Sequence, residues 1–346
     1  MGPVDLRSDT LTRPTPAMRR AMAEAEVGDD VFGEDPTVRK LEELGAERMG
    51  KAAALFVASG TMGNLAALLA WCGRGDEAIM GDACHTFTYE AGGSSALGGI
   101  HPHCVPTQMD GRLDPADIEA AIRPDNVHFP PSRLICLENS HNRRGGAVFG
   151  PEYMRQVRQL ADRYGLQVHL DGARLFNAAV AQDLPASALA ADADSVTFCL
   201  SKGLAAPVGS VLCGPEDFIA RAHRARKMLG GGMRQAGVLA AAGLVALETM
   251  VDRLAEDHAR ARRLAEGIAE LPGIGLDPAS LRSNILIFEL DRPDISPRDL
   301  REGLDERGVR ILPIGGRRLR AVTHYEVDDA GIERAIRAFQ ALLPAF

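Results

Sequence analysis

Between residues 52 and 214, short apolar, β-prone runs alternate with helix-length stretches, and this rhythm constrains the fold more than any other feature of the chain. The runs are 52–58, 77–80, 134–138, 167–171, 196–200 and 210–213. Stretches of helical character, such as 62–71 and 152–164, separate some of them. Strands joined by helices pair in parallel, and the helices then cover both faces of the sheet. The expectation is an α/β fold whose large domain is a three-layer αβα sandwich around a mainly parallel sheet. Ahead of it, residues 1–50 combine turn signals with two amphipathic segments, 16–24 and one that begins after Pro36. Beyond it, a long helical region from 234 to about 269 leads into a smaller α+β domain. Its expected strands are 284–290, 309–312 and 319–323, and its helices 297–307 and 328–343. The expected division is 1–248 for the N-terminal segment and large domain, and 249–346 for the small C-terminal domain.

Bulk properties remove several classes of partner. The chain carries 39 Lys+Arg against 47 Asp+Glu, a formal net charge of −8, and no basic block stands out, Arg317-Arg-Leu-Arg320 being too short to count as one. No nucleic-acid surface is expected from this balance. No membrane association is expected either, because no apolar run reaches spanning length and the N-terminus lacks a signal-peptide core. The six cysteines are scattered without a C-x-x-C pair, and several lie in apolar runs. They read as reduced core thiols of a cytoplasmic protein, not as zinc ligands or disulfides.

Lys202 interrupts two apolar runs in Leu200-Ser-Lys-Gly203, a poor place for a lysine unless its amine has a chemical role. Upstream, the run 167–171 ends in the carboxylate of Asp171. An acid and a lysine at successive strand ends suggest pyridoxal phosphate, in which lysine forms a Schiff base and aspartate holds the pyridine nitrogen. Ser59-Gly-Thr-Met-Gly-Asn64 follows a strand and opens a helix, so its backbone N–H groups suit a phosphate. His85, just after a strand end, has a flat ring able to stack on a pyridine; a polar loop histidine is the competing reading. Asp171 as a helix cap and Arg174 as a surface ion-pair partner are the corresponding alternatives.

Nine segments in order give the chain a family likeness. They are Val4-Asp-Leu-Arg-Ser-Asp-Thr10, Val27-Gly-Asp-Asp-Val-Phe-Gly33 with Asp35-Pro-Thr37, Ser59-Gly-Thr61, Glu90-Ala-Gly-Gly93, Glu138-Asn-Ser-His-Asn142, His169-Leu-Asp-Gly-Ala-Arg174, Cys199-Leu-Ser-Lys-Gly203, Gly230-Gly-Gly-Met-Arg-Gln235 and Val322-Thr-His324. Almost end to end, the chain resembles the low-specificity L-threonine aldolases of the fold-type I pyridoxal-phosphate superfamily. The segment Arg143-Arg-Gly-Gly-Ala-Val-Phe-Gly150 departs from that pattern in being longer and more basic.

The resemblance implies roles residue by residue. Lys202 carries pyridoxal 5′-phosphate as a Schiff base, Asp171 pairs with its ring nitrogen, and Gly60 and Thr61 bind its phosphate. Arg174 lies beside the ring, and Arg234 lies near the phosphate. His85 stacks on the ring and reaches the substrate hydroxyl; His128 comes from a neighbouring loop. Ser8 and Arg320 hold the carboxylate of a small amino-acid substrate. The implied reaction is retro-aldol cleavage of threonine or allo-threonine to glycine and an aldehyde. His85, His128 and a bound water are all open as the base. A homotetramer with sites at a subunit boundary is also implied. The rivals are a β-eliminating lyase or aminotransferase of the same fold and a catalytically silent binding protein. A dinucleotide-binding dehydrogenase lacks its G-x-G-x-x-G turn.

Overall fold

The computed structural model describes residues 2–344. In chain order the strands are β1 (Val4–Asp5), β2 (Ala53–Val57), β3 (Glu77–Gly81), β4 (His101–Val105), β5 (Ser132–Glu138), β6 (Gln167–Asp171), β7 (Ser195–Cys199), β8 (Ser210–Gly214), β9 (Ile274–Gly275), β10 (Ile285–Leu290), β11 (Val309–Arg310), β12 (Leu312–Pro313) and β13 (Arg318–Val322). Seven of them form the main sheet, in the order β2-β8-β7-β6-β5-β3-β4. Every neighbouring pair is parallel except β2–β8 and β7–β8, so β8 alone runs against the rest. An antiparallel neighbour needs no crossover helix. The connection from Cys199 to Ser210 is therefore short, and Lys202 sits in it.

Strand alternation divides the side chains between two faces. Ile79, Ile135, Leu137, Val168, Leu170, Val196 and Phe198 pack into one apolar cluster with the helices Pro36–Met49 and Pro151–Tyr164. Their neighbours on the other face fall into two smaller clusters. Leu55, Val57 and Leu212 meet Ala66 and Ala67 of the helix Gly60–Trp71, and Ala78, Met80, Leu134 and Cys136 meet its Leu68. Helices thus cover both faces, and the expected αβα sandwich with a mainly parallel sheet is what forms.

The C-terminal part builds a four-stranded antiparallel sheet, β12-β13-β10-β9. Helices Leu254–Ala269, Pro297–Glu306 and Asp329–Leu342 contribute to the same apolar cluster as its strands. On β13, Leu319 and Ala321 point into that cluster, while Arg318 and Arg320 turn the other way and hydrogen-bond Arg143 and Asn142 of the large domain. The N-terminus also belongs here: β1 pairs in parallel with β11, and Val4 and Leu6 join the C-terminal cluster. The long helical region is two helices, Gly237–Thr249 and Leu254–Ala269, broken between them. No helix among the described residues is long and apolar enough to cross a membrane.

Candidate active site

In a parallel sheet the C-terminal strand ends face one crevice, and chemistry gathers there. Here β3 is followed by the short helix His85–Thr88, β5 ends at Glu138, β6 ends at Asp171, and Lys202 lies three residues beyond β7. The antiparallel β8 brings β2 into the same direction, so the helix Gly60–Trp71 opens at this end too. Of the residues expected at the site, the fold brings together Lys202, Asp171, Arg174, His85, Gly60, Thr61, Ser8 and Arg320.

The Lys202 loop is held by its backbone. The Lys202 carbonyl accepts from Thr12 Oγ1 at 3.0 Å and from the amide of Ala205 at 2.8 Å. Ala205 has φ 63, a left-handed conformation unfavourable for a residue with a Cβ, and it folds the loop back on itself. At the helix start, Ser59 Oγ accepts from Met62 N–H at 3.2 Å and the Ser59 carbonyl accepts from Gly63 N–H. The amides of Gly60 and Thr61 remain as donors at the positive end of the helix dipole, which suits an anion. A Cβ at Gly60 would stand 2.9 Å from Cys199 Sγ, so only glycine lets the helix start so close to β7.

Asp171 is buried and uses both oxygens. Oδ1 accepts from Ala173 N–H at 3.0 Å and Oδ2 accepts from Asn64 Nδ2 at 2.9 Å. The other Asn64 N–H donates to Glu90 Oε1 at 2.9 Å, and the same oxygen lies 2.8 Å from His85 Nδ1. One ligand-type atom each from His85, Glu90 and Asp171 fall within 4.8 Å of one another. Burial pushes His85 down, but the hydrogen bond to Glu90 and the charges of Asp171 and Glu90 outweigh it and hold its pKa above the usual 6.5. Burial raises Glu90. The His85 backbone N–H is fixed to Glu138 Oε2 at 2.7 Å.

Two arginines flank this group in different states. Arg174 makes a buried bidentate pair with Asp9, Nε to Oδ2 at 2.7 Å and Nη2 to Oδ1 at 2.6 Å. Burial alone would raise Asp9, but the charge and hydrogen bonds of Arg174 hold it well below the carboxylate range. Among the described residues Arg320 hydrogen-bonds only neutral oxygens, Asn142 Oδ1 at 2.9 Å and the Arg7 carbonyl at 3.1 Å, and its buried Nε has no partner there. Burial lowers its pKa. A half-buried guanidinium with no carboxylate is a ready anion site. Ser8 is the chain neighbour of that Arg7 carbonyl; its Oγ accepts from Thr10 N–H at 3.2 Å.

Two expected residues lie elsewhere in the chain. His128 is in an exposed loop that leads into the start of β5, with its N–H on Asn126 Oδ1. The seven residues of β5 separate it from the site end of the sheet, a distance of about 20 Å. Arg234 is half-exposed and paired with Asp29 at 3.0 Å, although a Cβ at Gly231, in the preceding loop, would touch Met62 of the phosphate-type helix. In the basic departure, Arg143 lies over the Tyr89 ring at 5.8 Å and Arg144 Nη2 donates to the Thr107 carbonyl at 2.5 Å.

The profile of the family described as beta-eliminating lyase matches residues 5–291. This chain belongs to that family. Within it, the low-specificity L-threonine aldolase 1 of Arabidopsis thaliana is 48% identical over 344 residues, covering 98% of this chain and 96% of that protein. The low specificity L-threonine aldolase of Escherichia coli K12 is 44% identical over 342 residues, covering 98% and 99%. A Leishmania major threonine aldolase structure matches with a TM-score of 0.83 at 20% identity, covering 98% of this chain and 99% of that one; it speaks for the fold. The likeness to threonine aldolases read in the nine segments is borne out.

Sequence reasoning missed five side chains that this beta-eliminating lyase fold brings into the crevice as partners: Asn64, Glu90, Glu138, Asn142 and Asp9. Each lay inside a quoted segment. For Asn64 a signal existed, since it is the only amide in the otherwise apolar Gly60–Trp71.

Proposed function

We propose that this chain is a pyridoxal-phosphate-dependent aldehyde-lyase that cleaves L-threonine, L-allo-threonine and related β-hydroxy-α-amino acids to glycine and an aldehyde such as acetaldehyde. One observation carries the reading. Lys202, Asp171 and the open helix start at Gly60–Thr61 converge at one end of the sheet, which matches the amine, ring-nitrogen and phosphate contacts of that cofactor. The donor set fits the group chemically: a lysine amine, a buried carboxylate and free amides at a helix N-terminus. When bound, the cofactor supplies an electron sink for negative charge at the α-carbon.

The remaining work falls to residues of this chain. Arg320, which lacks an anionic partner, takes the amino acid's carboxylate together with Ser8. Two-point holding of that group decides which α-carbon bond is set for cleavage. His85, whose Nδ1 is held by Glu90, presents Nε2 as the acceptor for the β-hydroxyl proton. His128 reaches a site only from a second copy. That agrees with a homotetramer whose sites lie at a subunit boundary, a reading supported by the exposed apolar side chains Phe32, Phe87 and Tyr89.

The test is a product assay with threonine, allo-threonine and phenylserine after addition of pyridoxal phosphate. Glycine is expected in each case, with acetaldehyde from the first two and benzaldehyde from the third. Lys202→Ala is expected to abolish both turnover and the near-visible absorbance of bound cofactor. Release of 2-oxobutanoate and ammonia from threonine would assign β-elimination instead.

A further inference from the structure

Behind Asp171 runs a line of side chains, buried except for the half-buried Trp71 at its far end, to which the proposed reaction assigns no role. Along the helix Gly60–Trp71, Asn64 and Trp71 are seven residues apart and so share one face. Along β6, His169 and Asp171 are two apart and share one side, and Ser195 is the register partner of His169 on β7. The fold lays these against one another. Trp71 Nε1 donates to Ser195 Oγ at 2.9 Å, Ser195 Oγ lies 2.9 Å from His169 Nδ1, and His169 Nε2 lies 3.2 Å from Asn64 Oδ1. Asn64 Nδ2 then donates to Asp171 and to Glu90.

The direction of every proton in this line is determined. Two carboxylate oxygens face the Asn64 nitrogen, so its amide cannot be reversed, and Oδ1 must point at His169. The His169 Nε2 facing that oxygen carries the hydrogen. His169 is buried, which lowers its pKa to about 4 and keeps the ring neutral. Its Nδ1 is then an acceptor, so the Ser195 hydroxyl donates to it while accepting from Trp71. Donors run one way, from the indole to the two carboxylates.

We infer that Asn64 is the positioning residue for Asp171 and Glu90, and that Trp71, Ser195 and His169 hold its amide in the one orientation that serves both. Without His169 the buried Asn64 Oδ1 loses its donor, and the tilt of the amide toward the two carboxylates is no longer fixed from behind. Asp171 then loses its aim at the cofactor ring, and Glu90 loses the geometry that fixes His85. This inference rests on the cofactor reading given above.

The test uses holoenzyme and reads cofactor, not turnover: the dissociation constant of pyridoxal phosphate and the pH titration of its near-visible absorbance. Asn64→Leu, which removes the bonds to Asp171 and Glu90, is expected to weaken cofactor binding by about tenfold to a hundredfold, the range for a hydrogen bond to a charged group, and His169→Leu, which removes a bond between neutral groups, by about twofold to tenfold. Both are expected to displace the midpoint of the absorbance titration. His169→Gln, whose amide N–H can reach the same oxygen, restores both readouts. Should His169→Leu yield no folded protein, Ser195→Ala removes the hydroxyl alone and shifts both readouts in the same direction. Variants that lose thermal stability yet keep the wild-type dissociation constant and titration would overturn the positioning role and leave the cofactor reading intact. A wild-type chain that takes up no pyridoxal phosphate overturns both.

Discussion

Arg320 is the residue whose surroundings ask most plainly for a ligand. Its fork meets an amide oxygen and a backbone carbonyl, and Nε meets nothing. Replacing it removes a cation that no internal carboxylate needs, so the fold should tolerate the loss. Arg320→Ala is expected to raise KM for the amino acid by about tenfold to a hundredfold, with the cofactor dissociation constant unchanged. Arg320→Lys should recover only part, because an ammonium lacks the planar fork. Loss of cofactor in Arg320→Ala would move the carboxylate role elsewhere. At this scale the sequence was most legible where a residue is out of character with its own run: Lys202 between apolar stretches, Asp171 at the end of one. It was least legible where a role depends on what lies opposite in space. Asn64 matters because Asp171, Glu90 and His169 surround it, and no spacing along the chain records that. The position of His128 was equally hidden, since only the strand direction of β5 shows which end of the sheet its loop reaches.

The helix Gly60–Trp71 is the element on which the site depends most, since it carries the phosphate-type amides, Asn64 and Trp71 together. Its closeness to the sheet hangs on Gly63, where a Cβ would stand 2.7 Å from Thr197 Cγ2 and 3.4 Å from Val57 Cγ2. Alanine would gain about 1 kcal/mol in helix propensity over glycine. Overpacking a tight core contact costs about 1–3 kcal/mol, and Thr197 lies on the interior strand β7, where it cannot give way. Gly63→Ala is therefore expected to lower Tm by about 1–2 °C per kcal/mol of net loss in a chain of 346 residues. It should also weaken cofactor binding, because the amides and Asn64 move with the helix. A raised Tm in calorimetry would contradict this packing. Most of the elements named from periodicity formed within one or two residues of the expected bounds. The edge strand β4, His101–Val105, was not named: two histidines and a proline on a half-exposed edge break the apolar run that marks a strand. The antiparallel course of β8 was also out of reach, since apolar strands of either direction read alike when both faces are buried.

At the scale of the whole molecule, the N-terminal segment ties the two parts together. The expected division at residue 248 assigns Val4–Asp5 to the large domain, whereas β1 pairs with β11 and delivers Arg7, Ser8 and Asp9 into the crevice between the parts. Buried titratable groups then couple the stability of this assembly to pH. His169 within the sheet layer, and His258, which bonds Asn177 at 2.9 Å across the helices Leu254–Ala269 and Leu175–Gln182, are both lowered by burial from 6.5 to about 4. Each contributes stability that is complete above the unfolded value of 6.5 and is lost as pH falls toward 4. Glu42 has the opposite sign: burial raises it from 4.5 to about 7, so its contribution is complete below 4.5 and is lost as pH rises through 7. Each group changes stability by about 1.4 kcal/mol per pH unit inside its window. Between 4.5 and 6.5 the two histidines together outweigh Glu42, and these three groups by themselves add about 1.4 kcal/mol per unit. Above 6.5 His169 and His258 no longer contribute to the slope, and Glu42 turns the curve downward together with His85, whose pKa is also raised. Glu42→Gln keeps an acceptor for Phe56 N–H, now at 2.8 Å, but cannot ionise. Urea unfolding of wild type and variant near pH 5, 6.5 and 7.5 should show the variant gaining on the wild type by about 1.4 kcal/mol per pH unit up to about 7 and by no more above it. Parallel curves for the two proteins would mean that Glu42 titrates in its ordinary range and that the half-buried Glu42 position of the helix Pro36–Met49 is wetter than its packing indicates.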